Sequence, residues 1–201
     1  GLTTSPGAGW LVFAELEANH GWSRADTIDY IRTHAEELAR ETINAQGSGR
    51  AGGGDTINAG AGNDIIFGQE GDDLINAGAG NDILSGGSGN NILNGDLGAD
   101  TFLFLKSTIS GHDTITDYNN AENDRLDISD LLVGSGYTPG VSSVDSFIKI
   151  DQTSGQVFVD KTGGGHFDAT NMVATINGAS SLDTVNVILN DSEGVRTVHT
   201  V

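Results

Sequence analysis

From residue 55 to residue 102 a large apolar residue returns every nine positions, at Ile57, Ile66, Ile75, Leu84, Leu93 and Phe102. Each follows, by two places, a polar residue of fixed kind: Asp55, Asp64, Asp73, Asp82, Asn91 and Asp100. A glycine stands two places before each of these, at Gly53, Gly62, Gly71, Gly80, Gly89 and Gly98. Three columns that keep one register mark a coil of short repeats, each a glycine-rich turn followed by a short strand. Two nonapeptides complete one coil, so residues eighteen apart stack and the apolar column points inward. The pattern predicts a parallel β-roll.

The flanks follow other periods. Residues 23–43 predict an amphipathic helix, with Ser23 as N-cap, Asp26 near a capping box, and Ile28, Ile31, Ala35 and Leu38 on one face. This helix, with Trp10 and Trp22, is expected to pack as a cap on the coil, because a solenoid end needs covering. Beyond Phe102 alternation takes over. Phe147-Ile148-Lys149-Ile150 and Gln156-Val157-Phe158-Val159 predict a hairpin around a Thr-Ser-Gly turn, with further strands at 101–105, 113–117, 170–176, 184–189 and 195–201. The expected fold is mainly β: an N-terminal cap over 1–43, the roll over 44–105, and a β-rich region over 106–201.

Charge changes the picture. The chain has 28 acids against 9 bases, a formal net charge of −19, which argues against nucleic acid and anionic membrane as partners and favours cations. Residues 51–100 hold 14 glycines and 8 acids with no Lys or Arg, so this stretch cannot neutralise itself. Stacked strands lie roughly 4.7 to 4.9 Å apart. Two unit charges at about that distance repel by about 3 kcal/mol at an effective dielectric near 20. One large apolar side chain per repeat is thin compensation. A divalent cation between turns reverses the sign, and the donors on offer are carboxylates and main-chain carbonyls. An all-oxygen set of flexible number suits calcium better than zinc, copper or magnesium. With no Cys, thiolate sites and disulfides are excluded. The longest apolar run, Trp10 to Ala14, is too short to span a bilayer, and a start at Gly1 without Met reads as that of a piece of a longer chain.

Residues 50–105, about a quarter of the chain, resemble the RTX (repeats-in-toxin) β-roll of type I-secreted bacterial toxins, proteases, lipases and long adhesins. The resemblance implies a calcium-bound RTX solenoid with about four sites, each taking two carbonyls and one acid from a turn and the same from the turn eighteen residues on. The first would use Ala51, Gly53 and Asp55 with Gly68, Glu70 and Asp73. The second would use Gly60, Gly62 and Asp64 with Ala77, Ala79 and Asp82. A third would join Gln69, Gly71 and Asp73 to Gly86, Ser88 and Asn91, and a fourth Gly78, Gly80 and Asp82 to Gly95, Leu97 and Asp100. Asn91 departs from the pattern and would weaken its site by supplying a neutral oxygen.

The runs Asp100 to Phe104, Asp113 to Tyr118 and Asp124 to Ser129 resemble the segment that follows the roll in RTX proteins and continues its sheet. Asp117 and Asp124 are candidates for a further calcium across their loop, or ordinary turn acids. His112 and His166 are expected at the surface as turn residues. No HExxH or GxSxG motif is present, so no catalytic residue is expected. The resemblance implies a non-catalytic, monomeric C-terminal domain of a secreted, cell-surface adhesin of a Gram-negative bacterium, with an uncleaved signal for the type I secretion exporter in its last fifty or so residues. The ending Val195 to Val201 lacks the acid-then-apolar form of some such signals. The alternative is the tail of an RTX protease or lipase. Ice binding is disfavoured, since Ala61 and Ala79 stand where ice-binding repeats of this kind carry Thr.

Overall fold

The computed structural model describes residues 53–106, 109–138, 141–182, 184–190 and 196–200. The expected helix over 23–43 and the expected ligand Ala51 lie outside these. All the described residues belong to one compact unit.

The roll is built from β1 (Thr56–Ala61), β2 (Ile65–Phe67), β3 (Leu74–Ala79), β4 (Ile83–Ser85), β5 (Ile92–Leu97) and β6 (Thr101–Leu103). Odd strands pair in parallel in one sheet and even strands in another. Ile57 stands opposite Ile75 and Ile75 opposite Leu93; Ile66 stands opposite Leu84 and Leu84 opposite Phe102. The nine-residue period therefore becomes two inward ladders. Ile75, Leu84, Leu93 and Phe102 are at most 1% exposed, which is the core that the thin apolar column can supply.

Neither sheet stops at residue 105. β7 (Asp113–Ile115) adds beside β5 with Leu93 opposite Ile115, and β8 (Arg125–Asp127) adds beside β6 with Phe102 opposite Leu126. The column offset grows from 18 residues to 22 at the first junction and 24 at the second. The extra residues sit in loops. β9 (Ile148–Ile150), β10 (Gln156–Val159) and β11 (Met172–Ile176) then extend the first sheet through the parallel pair β7–β11 to the order β1-β3-β5-β7-β11-β10-β9. β12 (Asn186–Asn190) and β13 (Arg196–Thr200) extend the second, β12 lying parallel to β8 and antiparallel to β13.

The hairpin expected at 147–159 is β9 and β10, in antiparallel register with Phe158 opposite Lys149. Asp151 closes its turn by accepting the N–H groups of Thr153 and Ser154. The other expected strands are present but shorter. β8 lies in the run Asp124 to Ser129 that the resemblance implied would continue the sheet; its residues carry only one apolar side chain, Leu126, too little for a strand period of its own to show.

One glycine illustrates how tightly the coils stack. Gly80 has φ +148°, and a Cβ on it would run into the Gly62 carbonyl of the preceding coil. A side chain there would force the coils apart.

Candidate metal centre

Each turn between strands ends on a residue of the acid column, and the columns lie along the two edges of the roll. One holds Asp55, Asp73, Asn91 and then Asp113; the other holds Asp64, Asp82, Asp100 and then Asp124. The backbone links neighbours in each column. Asp55 N–H donates to Asp73 Oδ1 at 2.8 Å, Asp64 N–H to Asp82 Oδ1 at 2.7 Å, and Asp82 N–H to Asp100 Oδ1 at 2.9 Å. Asp73 N–H donates in the same way to Asn91 Oδ1, and Asp100 N–H to Asp124 Oδ1, both at 2.9 Å.

These bonds use one oxygen each of Asp73, Asp82 and Asp100. Among the described residues the Oδ2 atoms of these three, and that of Asp64, are buried with no hydrogen-bonding partner. Asp73, Asp82 and Asp100 are at most 2% exposed. A buried charged oxygen left bare costs far more than one bond repays, so such an arrangement demands either a proton or a cation. Burial pushes the carboxyls of Asp73, Asp82 and Asp100 upward, helped by neighbouring acids of the column, and Asp100 reaches about 7.

The space in front of these oxygens fits a hard cation. Asp73 Oδ2 and the Gly86 carbonyl of the next turn both converge on the position that a Cβ on Gly68 would occupy, and Asp100 Oδ2 likewise crowds Gly95. Every donor there is oxygen. The carbonyls of Ala79, Ser88 and Leu97 accept one N–H each, from Gly62, Gly71 and Gly80 at 2.8 to 3.0 Å, which leaves each a second lone pair. Among the described residues no three Asp, Glu or His side chains gather as they would around a metal held by side chains alone. The fit is therefore to acid pairs completed by main-chain carbonyls, which is calcium chemistry. When bound, the ion supplies the positive charge that the acid columns lack.

Asp117 and Asp124 are placed differently. Asp117 accepts the N–H of Gly95 at 3.1 Å and of Asp96 at 2.5 Å, the latter residue held at φ +67°. Asp124 accepts Asp100 N–H through one oxygen and Asn119 N–H at 2.8 Å through the other. All four oxygens of the pair meet main-chain donors, which supports their reading as turn-closing acids. Burial, opposed by these bonds, still lifts Asp124 to about 6.

Asp113 is a column residue that the nine-residue period does not reach. It is 4% exposed, and burial pushes its carboxyl up to about 7. A signal for it exists: Asp113-Thr114-Ile115 repeats the string Asp55-Thr56-Ile57. His112 and His166 are exposed; His166 Nδ1 lies 3.8 Å from Asp160.

Fold and site together define a calcium-binding β-roll. Residues 51–84 and 68–102 match the RTX calcium-binding nonapeptide repeat, in four copies, so this part of the chain is an RTX repeat array. Among curated proteins no relative matches the chain. Similar solved structures include the AlgE6R3 subunit of the Azotobacter vinelandii mannuronan C5-epimerase, at 24% identity over 68% of this chain and 80% of that one, TM-score 0.40. The C-terminal domain (RV) of MpAFP is similar at 24% identity over 72% of this chain and 96% of that one, also with TM-score 0.40.

Proposed function

We infer that this chain is a non-catalytic folding and export module of a type I-secreted adhesin, unfolded where calcium is scarce and folding on calcium outside a Gram-negative cell. The observation that carries this reading is the set of four buried, unpartnered carboxylate oxygens in a stretch with no basic residue. Without a cation the acid columns oppose the fold that the apolar columns favour. Calcium modules outside cells bind at around 10⁻⁴ to 10⁻³ M, far above cytosolic calcium. A chain that binds only when native is drawn into the fold at that concentration, and stays open to threading through the exporter below it.

The sites proposed are the carbonyl and acid sets that pair Asp55 with Asp73, Asp64 with Asp82, Asp73 with Asn91 and Asp82 with Asp100. Asp117 and Asp124 serve as closing residues. The C-terminal strands would carry the export signal, and the folded module acts as a monomer. The buried acids Asp73, Asp82, Asp100, Asp113 and Asp124 are structural members of the columns, which supports a non-catalytic role.

The test is a calcium titration from a chelated state followed by far-ultraviolet circular dichroism. The expected result is a cooperative gain of β signal in the sub-millimolar to millimolar range. Full β structure at nanomolar calcium would overturn the folding-switch reading.

A further inference from the structure

The column that holds Asn91 changes its chemistry at that residue. In the Asp73 turn, Oδ2 lies against Gly68 without a partner and faces the next turn. In the Asn91 turn the same place, against Gly86, is filled by the amide Nδ2. This nitrogen donates to Asp113 Oδ1 at 2.7 Å, and the Asn91 main-chain N–H donates to the same oxygen at 3.2 Å. Asn91 Oδ1 is turned the opposite way and accepts the Asp73 N–H. Its orientation is dictated by these partners, because exchanging O and N would set oxygen against a carboxylate and NH₂ against an N–H donor. Asn91 is 1% and Asp113 4% exposed, so the arrangement is dry.

An amide NH₂ carries positive partial charge and has no lone pair to offer a cation. The geometry points to a metal-free rung between Asn91 and Asp113, in which the amide N–H gives the buried Asp113 carboxylate the positive partner that calcium gives acids elsewhere in the array, and so ends that calcium row. The idea rests on the calcium reading of the array and adds to it where the row stops and what replaces the ion. An ordinary acid at position 91 would set two buried carboxylates against each other across this gap. The rung also lies where the column offset lengthens to 22 residues, so the longer loop can enter without having to supply carbonyls in the repeat's geometry. The junction of β5 with β7 is thereby secured by hydrogen bonds.

Calcium stoichiometry at saturation, measured by isothermal titration and by metal analysis after dialysis, tests the rung. Asn91→Asp is expected to bind one more calcium per chain than the parent and to need more calcium to fold. Asp113→Asn, which leaves an acceptor for the Asn91 amide, is expected to keep the parent stoichiometry. Adding Asp113→Asn to Asn91→Asp should return the count to the parent value. An unchanged count in Asn91→Asp, or a calcium lost in Asp113→Asn, would overturn the rung. A parent chain that binds no calcium would overturn the calcium reading itself, and the rung with it.

Discussion

The main-chain N–H of Asp64 donates to Asp82 Oδ1 at 2.7 Å, eighteen residues along the chain, while Asp82 Oδ2 remains buried and unpartnered. One carboxylate thus splits its oxygens between a structural bond and a buried acceptor that calls for positive charge. Asp82→Asn separates the two tasks, since the amide oxygen can still accept the Asp64 N–H while the charge is gone. Because Asp82 belongs to two proposed sites, calcium affinity should fall by at least about tenfold, an effect on the scale of losing a metal's supporting group. Isothermal titration reads this directly; unchanged affinity would remove Asp82 from the ligand set.

Raised carboxyls give the chain opposite responses to acid with and without calcium. Burial holds Asp100 and Asp113 near 7 and Asp124 near 6 in the metal-free fold, against about 3.9 for a free aspartate. The fold then binds more protons than the unfolded chain between about pH 4 and pH 7. Its proton-linked stability is complete below about pH 4 and is lost as pH rises through 7. In chelator, ordered structure should therefore grow as pH is lowered from 8 to 5. Calcium affinity should weaken over the same interval, because a proton on Asp100 competes with the ion for the same carboxylate. Circular dichroism against pH, with and without calcium, checks both signs.

Tyr118 ties the C-terminal strands to the roll. Its hydroxyl donates to the Asp124 carbonyl at 2.7 Å and accepts the Asn186 N–H at 2.8 Å at the start of β12. Tyr118→Phe leaves a buried carbonyl and a half-buried N–H without this partner, at a cost of about 1 to 3 kcal/mol. Amide hydrogen exchange should show protection lost at Asn186 and along β12, with the β1–β3–β5 ladder unchanged at saturating calcium. Uniform loss over both regions would mean that the link is not local.

Much of this fold lies open in the sequence. The nine-residue columns alone imply which residues stack, since Ile57, Ile75 and Leu93 align by count and the structure pairs them so. The hairpin of β9 and β10 was legible because its strands alternate around a turn with local acid bonds. Asp113, by contrast, escapes the count. Four added residues in a surface loop cost little entropy and leave the stacking of Leu93 on Ile115 intact, yet they break the numerical period that reveals it.

The sequence by itself determined the β-roll, its two inward ladders and its uncompensated acid columns. These depend on a repeat so regular that neighbours in space stand at constant separation along the chain. Tertiary structure alone decided which oxygen of each acid is bonded and which is bare. It also decided which sheet each of β7 and β8 joins and how the C-terminal strands add beyond them, and that the Asn91 amide turns its nitrogen to Asp113. Those outcomes depend on side-chain orientation and on partners brought together across loops of unequal length, and neither leaves a period to read.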